Sequence, residues 1–89
     1  MARFEMGGIE CASLGGATAT ADTFYQLGMM YSVGNNVPAD FVTAHKWFNL
    51  AALRGNRDAT RLRREIADQM SDQEIAQAQR AARAWLNAG

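Results

Sequence analysis

Leu27-Gly28-Met29-Met30-Tyr31-Ser32-Val33-Gly34-Asn35-Asn36-Val37-Pro38-Ala39-Asp40 is the stretch on which the fold turns. Phe24, Leu27, Gly28 and Tyr31 recur at i, i+3, i+4 and i+7, the spacing of one face of an α-helix. Gly34 follows as a stop, because glycine takes the left-handed backbone that closes a helix. Asn35-Asn36-Val37-Pro38 is turn chemistry. Asp40 then offers a carboxylate to cap a second helix. One helix, a tight turn and a second helix form a hairpin.

Outward from this stretch the same grammar continues. Thr20 or Asp22 can cap the first helix, over about 21–33. The second, over about 40–54, carries Ala44, Trp47, Phe48, Ala51 and Ala52 on its inner face. Gly55 ends it, with Arg54 in the last turn where a cation suits the helix dipole. Asn56 caps a third helix over about 57–70, with Ala59, Leu62, Ile66 and Met70 inward. Ser71 and Glu74 form a capping box at the head of a fourth, over about 72–87, which presents Ile75, Ala78, Ala82, Trp85 and Leu86. No stretch alternates with period two long enough to be a strand. The expected class is all-α: antiparallel helices joined by short turns. Gly28 inside a helix costs about 1 kcal/mol relative to alanine, so another backbone is expected to cross close by there. Ala44, Ala51 and Ala52 thin the second helix to receive it, and Trp47 and Phe48 fill the space above and below the crossing.

The spacing Leu27-Gly28-x-x-Tyr31-x-x-Gly34, Val37-x-x-Asp40, Ala44-x-x-Trp47, Ala51-Ala52-x-x-Gly55 and Ala59 resembles the Sel-one-like repeat, a helical solenoid unit related to tetratricopeptide repeats. Asn36 stands where that family usually has glycine, and Thr23 where it prefers alanine. Thr23 and Ala59 occupy equivalent places 36 residues apart, a helix-turn-helix period. Beyond Ala59, Arg61, Arg63 and Arg64 replace the recurrence of Tyr25, Leu27 and Gly28. Helices three and four therefore read as a closing pair covering one repeat. Their signature, Met70-Ser71, Glu74-Ile75-Ala76, Ala78-Gln79-Arg80 and Ala82-Arg83-x-Trp85, is similar to the tail of small bacterial members of the family. The resemblance implies an interaction module, an adaptor or accessory subunit that receives a partner segment in a groove. Gln26, Met29, Met30 and Val33 are candidates to line it. One repeat and a cap make a thin structure, so self-association or a place in a larger assembly is expected.

Eighty-nine residues allow one domain, and 48% hydrophobic against 20% charged residues exclude a disordered or fibrous chain. Zero formal net charge argues against gripping nucleic acid or anionic lipid with the whole surface. No apolar run approaches a membrane span. One cysteine, Cys11, cannot pair internally, which suits a reducing, cytoplasmic setting. Residues 1–19 are rich in Gly, Ala, Ser and Thr. Glu5, Gly7, Gly8 and Glu10 break any signal-peptide core, so the segment reads as an arm, flexible or ordered on a partner through Phe4, Met6, Ile9 and Leu14.

Candidates for chemistry are few. His45 is the only histidine, its neighbours Lys46 and Trp47 supply neither an orienting group nor a nucleophile, and it reads as a boundary residue beside Phe41, Phe48 and Asn49. His45, Cys11 and a carboxylate lack metal-ligand spacing. The paired glycines of residues 7–16 lack the Lys-Ser/Thr of a phosphate loop. Some secreted relatives have been associated with hydrolase activity, but they are rich in cysteines that this chain lacks. No enzyme, metal or cofactor is expected. Between Arg54 and Arg64 stand five arginines against one acid, Asp58. Arg57, Arg61 and Arg64 share one face of the third helix. They read as a solvated face with Arg61–Glu65 and Arg64–Asp68 pairs, or as guanidinium groups for an acidic protein surface. The alternative function, a small nucleic-acid-associated protein, would use the same stripe, although no aromatic residues interleave it.

Overall fold

The computed structural model describes residues 20–88; the N-terminal arm, with Phe4, Met6, Ile9, Cys11 and Leu14, lies outside the described residues. Four helices follow in order: α1 (Ala21–Val33), α2 (Phe41–Leu53), α3 (Arg57–Ala67) and α4 (Asp72–Ala88). Among the described residues there is no strand.

Each boundary has a local cause. Thr20 Oγ1 accepts the Thr23 N–H at 3.2 Å and starts α1. Gly34 adopts φ +76°, and its N–H and that of Asn35 donate to the Met30 carbonyl at 2.9 and 3.0 Å. Asn36 takes φ +66° in the turn, the left-handed conformation that asparagine tolerates best after glycine. The Asp40 N–H then donates back to the Tyr31 carbonyl at 2.9 Å, tying the two helices together at the turn. The Asp40 carboxylate accepts from the Thr43 N–H at 3.2 Å and the Thr43 hydroxyl at 2.8 Å, so α2 begins after it, at Phe41.

At the far end of α2, the Gly55 N–H donates to the Ala52 carbonyl and the Asn56 N–H to that of Ala51, both at 3.0 Å. This is a Schellman closure, and it needs the φ of +98° that Gly55 supplies. Asn56 Oδ1 accepts the Ala59 N–H at 2.8 Å to start α3. That helix stops at Ala67, three residues before the expected end, because the N–H groups of Gln69 and Met70 donate to Ile66 and Ala67 in a tightened i→i−3 turn. Ser71 and Glu74 form the reciprocal capping box of α4, at 2.9 and 3.1 Å.

Helix α2 is the hub. Helices α1, α3 and α4 each pack on it, whereas α3 and α4 meet one another only marginally. Phe24, Ala44, Phe48, Leu50, Ala51, Ala59, Ile66, Ala78 and Ala82 are buried. Leu27, Tyr31, Trp47, Ala52, Leu62, Met70, Ile75 and Trp85 are half-buried. Two inner-face expectations need correction. Leu86 is 42% exposed, near the end of α4. His45, expected at the boundary, is only 3% exposed, because α2 is covered on several sides at once. Leu50, absent from the expected face, is buried for the same reason.

The close approach at Gly28 is real but differs in kind from expectation. A Cβ there would lie 2.5 Å from two ring carbons of Phe48 and 3.0 Å from a third. The missing side chain makes room for an aromatic ring, and the thin, alanine-lined crossing is not what presses on it. One turn earlier on the same face of α1, Phe24 stacks on Trp47 with centroids 5.8 Å apart. The Trp85 ring meets Phe24 edge-on at 5.1 Å and Trp47 at 6.0 Å. This three-ring cluster pins α1, α2 and α4 together. The Arg54 guanidinium lies 5.4 Å from the Phe24 centroid and the Lys46 ammonium 4.3 Å from that of Trp47.

Candidate functional site

Because α3 and α4 both lean on α2 without closing on each other, a cleft of about 300 Å³ remains between the three helices. Its lining comprises His45 and Asn49 from α2, Arg63, Arg64 and Ala67 from α3, and Ile75 and Gln79 from α4. His45 and Asn49 stand four apart and so share one face of α2. Arg63 follows Ala59 by four residues and precedes Ile66 by three, which turns its stem toward α2. Its guanidinium donates to Asn49 Oδ1 at 2.6 Å, a short charge-assisted bond that joins the two helices. Arg64 and Gln79 are exposed at the rim.

His45 is held below its usual pKa of 6.5, first by burial and second by the positive charge of Arg63. Its Nδ1 is buried with no hydrogen-bond partner among the described residues. A neutral imidazole is the consequence. Among the described residues no carboxylate lines the cleft to orient that ring, and no nucleophile stands there to be activated. Lys46, next along α2, is also pulled below its usual pKa by burial, and its ammonium rests on Trp47. Among the described residues no group of three His, Cys, Asp or Glu side chains is placed to hold a metal ion. No helix among them is long and apolar enough to cross a membrane.

The expected arginine stripe is divided by its surroundings. Arg57 is exposed in the first turn of α3. Arg61 lies between two acids, Asp58 at 3.6 Å and Glu65 at 3.2 Å. The Arg61–Glu65 pair was expected; among the described residues no ion pair joins Arg64 to Asp68, and Arg64 borders the cleft instead. Met29 packs against the core, and Met30 is half-buried. Gln26 is exposed, and Val33 is 66% exposed. A second, more open hollow of about 610 Å³ lies where the α1–α2 turn meets the start of α4, between Tyr31, Pro38, Phe41 and Glu74.

Sequence reasoning did not single out Arg63, Asn49 or Gln79. A signal existed for Arg63: its spacing from Ala59 and Ile66 places it beside the inner face of α3. The same signal existed for Gln79, which follows Ile75 by four residues and precedes Ala82 by three. Comparison of the chain with protein-family models, with curated proteins and with solved structures gives no match.

Proposed function

We propose that the chain is a non-enzymatic protein-interaction module, an adaptor or accessory subunit working in the cytoplasm within a larger assembly. The observation that carries this is the cleft between α2, α3 and α4, which gathers hydrogen-bond donors around a histidine that has, among the described lining residues, neither an orienting carboxylate nor a nucleophile. Such a lining recognises a group and has no means to transform it. The hairpin spacing that resembles the Sel-one-like repeat supports the same reading, since solenoid hairpins work by receiving partner segments. The division of the arginine stripe favours a protein over a nucleic acid, because the central guanidinium, Arg61, is already held by two acids.

The test is photo-crosslinking in cells, with a photoreactive residue placed in the full chain at position 64 or 79 and, as a control on α1, at position 22. A discrete protein adduct from 64 and 79, absent from 22, is the expected result. Adducts to RNA or DNA alone, or none above the control, would overturn the proposal.

A further inference from the structure

We infer that the α2/α3/α4 cleft is a receptor for a single acidic side chain, Glu or Asp, carried by the partner polypeptide; this rests on the interaction reading above and specifies its chemistry. The lining is one-sided in charge. Two guanidinium groups, Arg63 and Arg64, face a space that no carboxylate among the described residues lines, and the amides of Asn49 and Gln79 stand beside them. Arg63 uses one N–H on Asn49 Oδ1, and a guanidinium has five in a fixed fork. That bond also fixes the orientation of the fork, so the remaining donors are presented in a set geometry. Asn49, its oxygen engaged, has only its N–H₂ left to offer. His45 also lines the cleft, and its buried Nδ1 has no hydrogen-bond partner among the described residues. Carboxylate is the group that planar guanidinium donors match bidentately. A volume of about 300 Å³ admits one side-chain head and excludes a folded element.

The experiment uses the ¹⁵N-labelled full chain and an acetylated, amidated peptide of sequence Gly-Gly-Glu-Glu-Gly-Gly. Its Gln-Gln counterpart, glutarate and inorganic phosphate serve as separate titrants. The expected result is saturable shift changes at Asn49, Arg63, Arg64 and Gln79 with the Glu peptide and none with the Gln peptide. Arg64→Gln, at an exposed position, should weaken that binding about tenfold, and Arg83→Gln, exposed on α4 and outside the cleft lining, should leave it unchanged. Raising the salt from about 50 to about 300 mM should weaken it several-fold, because both guanidiniums sit near solvent.

Equal response to the Glu and Gln peptides, or shifts scattered away from the cleft, would overturn the inference. So would tighter binding of glutarate or phosphate than of the peptide, which would make this a site for a free anion. If the peptide fails while protein adducts still form at positions 64 and 79, the carboxylate assignment falls and the interaction module stands. If the adducts fail, the module reading falls by itself.

Discussion

Gly28→Ala should destabilise this protein, although the same change in most helices does the opposite. Helix propensity alone favours alanine by about 1 kcal/mol. Against that stands the ring of Phe48, two of whose carbons lie 2.5 Å from the place the new Cβ must occupy. Carbon atoms rest about 3.5–4.0 Å apart, so the ring or the helix must retreat by about 1 Å. Neither can do so freely. Phe48 is 1% exposed, its ring meets Tyr25 at 6.1 Å, and α1 is tied to α2 at the Tyr31–Asp40 hydrogen bond. Overpacking of a tight core costs about 1–3 kcal/mol. With two contacts this short the upper half of that range applies, leaving a net loss of about 1–2 kcal/mol after the propensity gain. For a domain of this size the melting temperature should fall by about 5–10 °C.

Thermal and urea unfolding followed by circular dichroism would measure it. Phe48→Leu in the Gly28→Ala background supplies the internal check. A smaller residue facing the new methyl should cost less there than in the parent chain, with a coupling of about 1 kcal/mol. A Gly28→Ala protein that melts at or above the parent, or strict additivity of the two changes, would refute the reasoning.

Ser71→Ala removes one half of the capping box and should lower stability by about 1 kcal/mol in urea titrations, with Glu74→Ala giving a similar loss and the double variant less than their sum. Stability should also depend on pH through His45. Its folded pKa lies below 6.5, so the unfolded chain binds a proton that the folded chain resists. The contribution is complete above about pH 6.5 and is lost as pH falls below it. The urea midpoint should therefore decline between about pH 6.5 and 5, and His45→Gln should flatten that part of the profile; an unchanged slope in the variant would show that His45 is not the group responsible.

What the sequence disclosed was set by the range of each interaction. Thr20, Asp40, Asn56 and the Ser71–Glu74 pair act within three or four residues, as do the closures at Gly34 and Gly55, and all could be read from neighbouring letters. Gly28 announced a close approach by its cost in a helix, but the identity of the approaching group depended on how α2 is rotated about its axis. The burial of His45 and Leu50 depended on where α3 and α4 lie. A pattern-based reading assigns one inner face to α2, whereas Phe-Val-Thr-Ala-His-Lys-Trp-Phe-Asn-Leu-Ala-Ala-Leu, residues 41–53, is apolar nearly all round. A helix of that kind is a central one.

The central position of α2 also accounts for the cleft. At 100° per residue the buried positions from Leu50 through Ala51, Ala44 and Phe48 to His45 sweep roughly 220° of α2. No single partner helix can cover such an arc, and three do so here. Three helices on one hub need not touch one another, and where they diverge a wedge opens whose character is set by the residues flanking the packed stripes. Here Ala67 of α3 and Ile75 of α4 supply the apolar part of the lining, and Arg63, Arg64 and Gln79 supply the polar part, beside an α2 flank of His45 and Asn49. Arg63 spends one donor on Asn49 of α2 and has others left over. The wedge that three helices on one hub leave open thus carries donors in excess of the acceptors that line it, and that excess is what fits it to an anion.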